Sequence, residues 1–172
     1  ISDQTPQGSG GDGAYPLKWY THTFYAMLAT GDGDVVSDKD ATIHLQGAGV
    51  YGVAASKGTA SNAGDIYLDG FVPTLDDENN ITDTNYWKPS QLYLTSSGMV
   101  VGSTNSGEGD ATAINTGNIT VNNAGFGMMA LKDGTAINQG TITLTADDGV
   151  TGQANELVGM AALNGGVVIN DT

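Results

Sequence analysis

The amino-acid sequence predicts an all-β chain wound as a parallel β-helix, a solenoid of about 23-residue rungs with loop insertions. Three observations predict it. The segments TAINTGNITV (112–121) and TAINQGTITL (135–144) are near-copies, and Ile119 and Ile142 stand 23 residues apart. A third copy, TASNAGDIYL, occupies 59–68, and in all three an Asn precedes an Ile by four with a Gly midway: Asn62, Gly64, Ile66; Asn115, Gly117, Ile119; Asn138, Gly140, Ile142. Last, the intervening stretches are short, Gly-rich and without helical period. A repeat of this length cannot bury its own apolar face and must stack on its neighbours.

Taken in order, residues 1–13 (ISDQTPQGSGGDG) form a flexible Gly/Ser/Asp lead-in, and 14–172 form a single β-helix domain, a piece of something longer. The aromatic run 15–30 predicts a first strand pair, and 30–40 (TGDGDVVSDKD) an acidic turn. A strand of alternating apolar residues then recurs as Ile43/Leu45, Ile66/Leu68, Leu92/Leu94, Ile119/Val121 and Ile142/Leu144. Period-two alternation makes these half-buried strands whose apolar members form two inward columns. A second strand type, a small residue before a larger apolar one, appears in YAML (25–28), YGVAA (51–55), GMVV (98–101), FGMMAL (126–131) and VGMAAL (158–163). Three short strands and three corners fill a 23-residue rung, which gives five to six rungs in all. The Asn column is expected at a corner, where Asn tolerates left-handed backbone and stacked amides bond from rung to rung. The equivalent places before Ile43 and Leu92 hold Lys39 and Lys88. Insertions near 69–91 and 145–156 break the rhythm; Ile66 and Leu92 belong either to successive rungs or to one rung carrying the first insertion.

The phrase AIN-x-G-x-I-T-Φ, followed by G-M-x-A and a short Gly-containing turn, resembles the passenger region of bacterial autotransporters of the type V secretion class. The likeness covers roughly 40–172 and is clearest over 111–172. It implies a right-handed β-helix displayed on a Gram-negative cell surface, acting as an adhesin or self-association factor in virulence or biofilm formation. Anchoring in the outer membrane would come from a part of the chain not present here.

Composition narrows the partners. Nineteen acidic residues against five Lys and no Arg give a formal charge of −14, which opposes nucleic acid and anionic membranes. Cysteine is absent, so disulfides and thiolate metal sites are excluded.

Candidate ligand-binding residues lie at the outward place between inward residues. His44, Tyr67, Tyr93, Thr120 and Thr143 would share one exposed stripe, beside Tyr86 and Trp87 of the first insertion. Aromatic rings on a flat sheet stack on sugar rings or pack on a partner's apolar surface. The competing reading is that the insertion's own Phe71, Tyr86 or Trp87 covers them. Asp32, Asp34, Asp38 and Asp40, and Asp76, Asp77 and Glu78, are acidic clusters that match no calcium-loop pattern, so they read as solvated loops and no metal or cofactor is expected. No catalytic residue is assigned: the adjacent pairs Asp76/Asp77 and Asp147/Asp148 would point to opposite faces if on strands, and His22 and His44 lack a nucleophile partner. The leading reading is a non-enzymatic adhesin binding host glycan or protein, or the same protein on another cell. A glycan-processing enzyme and a structural stalk are the alternatives.

Overall fold

The structure, a computed structural model, describes residues 24–47, 49–70, 96–103, 109–147 and 157–171. These form fourteen strands and no helix: β1 Phe24–Ala29, β2 Asp34–Ser37, β3 Thr42–Gly47, β4 Val50–Ala55, β5 Gly58–Asn62, β6 Asp65–Gly70, β7 Ser97–Val101, β8 Ala111–Asn115, β9 Asn118–Asn122, β10 Gly125–Ala130, β11 Gly134–Asn138, β12 Thr141–Thr145, β13 Leu157–Ala162 and β14 Val167–Asn170. Every third strand pairs in parallel with the last of its kind, giving three walls. Sheet A is β1-β4-β7-β10-β13, sheet B is β2-β5-β8-β11-β14, and sheet C is β3-β6-β9-β12. The chain is therefore a parallel β-helix, with five rungs among the described residues. Crossovers between parallel strands wind right-handed as a rule, the basis for expecting a right-handed coil.

The register answers the question left by the first insertion. Ile66 pairs directly with Ile119, and Leu68 with Val121. One rung carries the insertion, and no place in the inward columns remains for Leu92 and Leu94, which lie outside the described residues. The columns are Ile43–Ile66–Ile119–Ile142 and Leu45–Leu68–Val121–Leu144. Ile66, Leu68, Ile119 and Val121 are fully buried, each contributing about 1.5–3 kcal/mol. Ile142 is only half-buried and Leu144 is exposed, because β12 is the edge of sheet C and has a neighbour on one side alone. Ile119, between β6 and β12, is the member covered by rungs on both sides.

Sheet A collects the second strand type as predicted. A glycine column, Gly52, Gly98 and Gly127, precedes Val53, Met99 and Met128 because a Cβ there has no room: at Gly127 it would meet the Gly159 carbonyl at 2.5 Å and Ile142 Cγ2 at 2.6 Å, whereas Gly159, on the edge strand, continues the column with space to spare. The Met99 and Met128 side chains that follow fill the core beside Ala60, Ala113 and Ala136 of sheet B. The outward side of sheet A is also apolar, with Tyr51, Ala54, Val100, Phe126 and Met129 clustered and buried. Burial pushes the Tyr51 hydroxyl's pKa up, and the neighbouring Tyr25, stacked on it at 5.3 Å, adds to the shift.

The corner between sheets B and C carries the repeated phrase. Asn62, Asn115, Asn138 and Asn170 are in register, and each Nδ2 donates to the next Oδ1 at 2.8 Å. The sequence steps are 53, 23 and 32 residues, so the amides find one another across insertions of any length. The second Nδ2 hydrogen goes to the carbonyl of the glycine two residues on: Gly64, Gly117 and Gly140 at 3.0, 3.2 and 3.1 Å. Those glycines are required, since a Cβ at Gly117 would lie 2.1 Å from the Gly64 oxygen and one at Gly140 2.1 Å from the Gly117 oxygen.

Three expectations at this corner are corrected. The ladder asparagines end β-strands and are not left-handed; positive φ falls on Asn123, Asp133 and Asn164. Ser37, not Lys39, is in register with Asn62, because the first rung's corner is two residues longer. Lys88 lies outside the described residues, and Asn62 bonds Asn115 with no place between them. The stretch 30–40 is likewise not one turn, for β2 runs through it.

Candidate functional site

Sheet C presents its outward residues as three short columns. Thr42, Asp65, Asn118 and Thr141 form the first; His44, Tyr67, Thr120 and Thr143 the second; Gln46, Asp69, Asn122 and Thr145 the third. Strand alternation puts them outside because their neighbours Ile43 to Ile142 and Leu45 to Leu144 point in. The His44 and Tyr67 rings are stacked, with centroids 5.0 Å apart and planes at 17°. Tyr67 is 42% exposed and His44 is exposed as well, so the pair is accessible to solvent. Beside it, Asn118 Nδ2 donates to Asp65 Oδ1 at 2.8 Å, fixing a polar fork one column away. A rigid aromatic plane flanked by carboxylate and amide groups can take the apolar face of a sugar ring while bonding its hydroxyls.

The strands of sheet C leave this face at the corner leading to sheet A. There Asn123, left-handed at φ 67°, donates from one Nδ2 to Asp69 Oδ1 at 3.1 Å and to Asp147 Oδ2 at 3.0 Å. The Asp147 amide donates back to Asn123 Oδ1 at 2.9 Å, and Thr145 Oγ1 donates to Asn122 Oδ1 at 3.0 Å. Two carboxylates from the rungs on either side thus share one amide. Both predicted insertions depart from this same corner: β6 ends at Gly70 before 71–95, and Asp147 precedes 148–156. The intervening rung makes the tight turn Asn123–Ala124.

A family model described as the BigA third pectate lyase-like domain matches residues 1–172, the whole chain. The chain belongs to that family. One relative, from Salmonella typhimurium and named "Putative surface-exposed virulence protein BigA", is 83% identical over 172 residues, covering all of this chain and 9% of that protein. The chain thus spans a small part of its relative's length. No solved structure matches it.

Within this pectate lyase-like domain, the structure brings together four of the five stripe residues, His44, Tyr67, Thr120 and Thr143. Tyr93, Tyr86 and Trp87 lie outside the described residues, as do Asp76, Asp77, Glu78 and Asp148. Tyr67 is followed in its column by Thr120, so it has no aromatic neighbour on that side. The acidic group at 32–40 is dispersed around β2: Asp32 pairs with Lys57 Nζ at 2.9 Å, and Asp40 with Lys39 at 2.6 Å. Among the described residues, no three His, Asp or Glu side chains are arranged to hold a metal. Sequence reading missed the Asp69–Asn123–Asp147 meeting. Its available signal was that Asp69 and Asn122 hold the same place after Leu68 and Val121, at the edge of the first insertion.

Proposed function

We propose that this domain is a non-enzymatic binding module of an autotransporter-like surface protein, and that the outer face of sheet C is its ligand surface. The ligand is a neutral glycan, or a host protein patch of similar polarity, held at the cell surface as part of a virulence factor. The observation that carries the reading is the stacked and exposed His44–Tyr67 pair, set among Asp65, Asn118, Asp69 and Thr120. The relative's name supports display at the surface. Outer-membrane anchoring would belong to other parts of such a protein. The formal charge of −14 disfavours nucleic acid, membrane surfaces and acidic sugars. The test is an array of neutral and anionic oligosaccharides probed with the domain. Binding confined to neutral glycans supports the reading, and binding confined to anionic ones contradicts it.

One observation favours a second reading. Asp69 and Asp147 share the Asn123 amide, and a carboxylate pair in an open position is what glycoside hydrolysis needs. Against it, both carboxylates are engaged in bonds that stitch the corner together. Release of reducing ends from a bound glycan, abolished by Asp147→Asn, would establish the enzyme; binding without release keeps the module.

A further inference from the structure

The outer side of sheet B differs in chemistry from that of sheet C. Its two outward columns run Asp34–Thr59–Thr112–Thr135–Val167 and Val36–Ser61–Ile114–Ile137–Ile169. All but Asp34 and Ser61 are β-branched, so the face is flat and its side chains are stiff at χ1. Val36, Val167 and Ile169 are 62%, 49% and 43% exposed. Asp34, at the rim, is the one charged member of these columns.

We propose that this face is a homotypic contact surface, on which a second copy of the chain packs sheet against sheet. The charge distribution selects the occupant. Two molecules of formal charge −14 repel one another and can meet only where carboxylates are left out of the contact. Sheet C sets Asp65 and Asp69 in its outward columns, whereas the columns of sheet B carry only the rim Asp34. A basic partner would be drawn to the acidic surfaces, and Val36, Ile114, Ile137 and Ile169 offer a glycan no hydrogen-bonding group. A two-fold axis along the strand direction lays isoleucine column on isoleucine column, with Ile114, at the middle of its column, meeting its own copy. Five strands at about 4.8 Å spacing give a face of roughly 350 Å², below the ~800 Å² per partner of a stable complex. The contact is therefore weak and strengthens with salt, which screens the repulsion. It uses a different wall from the ligand surface and does not rest on that reading.

Because the chain has no cysteine, the contact can be probed by placing one. Packed sheets lie ~10 Å apart, too far for a disulfide, so a short bis-maleimide is the probe. Ile114→Cys is expected to cross-link into dimers about ten-fold faster than Thr143→Cys on the exposed face of sheet C, and faster in high salt than in low. Sedimentation of the unsubstituted chain should show concentration-dependent dimers that Ile114→Glu removes and Tyr67→Ala leaves unchanged, with circular dichroism confirming the fold of each. Equal cross-linking at the two sites, or dimers that survive Ile114→Glu, would overturn the proposal. So would a monomer at every concentration in high salt.

Discussion

The two corners that bracket sheet C are built on opposite plans. Where the chain enters from sheet B, the later rungs repeat one device: an Asn amide, a glycine too crowded to bear a Cβ, and a 2.8 Å bond to the next rung. Where it leaves toward sheet A, tight turns alternate with long connections, and the bonds are made by half-buried or exposed Asp, Asn and Thr side chains around the buried Asn123. Buried amide pairs must be satisfied or they cost the domain its stability, so the first corner tolerates little variation. The half-exposed members such as Asn122 and Thr145 can exchange their bonds with water at small cost, so the second corner accepts insertions more readily. The solenoid repeats one edge from Asn62 onward and varies the opposite one.

The largest effect should separate the middle of sheet C from its rim. Ile119→Ala, with a rung on each side, should cost about 2–5 kcal/mol in denaturant unfolding, and Ile142→Ala at the edge clearly less. Equal losses would mean that a further strand covers β12. Next, Gly117→Ala should cost up to about 3 kcal/mol, since the Cβ has only backbone to push against, whereas Gly47, with open space around it, pays only for its φ of 111°. Asn115→Ala should then cost about 1–3 kcal/mol by orphaning Asn138 Oδ1 and Asn62 Nδ2, while Asn122→Ala at the opposite corner should fall within about 0.5 kcal/mol. Matching losses for the two asparagines would erase the contrast between the corners.

The smallest effect has the opposite sign. Ser37 stands at the head of the ladder, and its Oγ and the Asn62 Oδ1 are buried without a hydrogen-bond partner among the described residues. Ser37→Asn offers a donor to that oxygen and should raise stability by about 1 kcal/mol, read as a higher melting temperature.

What could be read from sequence follows from the same division. The Asn–Gly–Ile phrase was legible because stacking imposes one solution on each rung, and the second strand type was legible through its glycine column. Asn170 could have been added, since VVIN repeats the pattern of TAIN. Stacking distance, by contrast, is blind to chain length. Leu92 and Leu94 mimic the apolar alternation but cannot enter columns in which Ile66 already meets Ile119. Ser37 escaped notice because its corner is longer and its side chain is no amide. The stripe of His44, Tyr67, Thr120 and Thr143 followed from alternation alone. Asp69 and Asp147 come together only through the winding of the coil, which no local pattern records.

The proposed binding face of this ladder-stabilised coil lies on sheet C, and one substitution tests it most directly. Tyr67→Ala removes the open ring of the stacked pair from a position that is outside the core. Adhesion to host cells, measured beside the melting temperature, should fall by about ten-fold, in keeping with loss of an aromatic anchor, while melting stays within about 2 °C of the parent. Adhesion that survives unchanged, or falls only as far as the melting temperature does, would contradict the account.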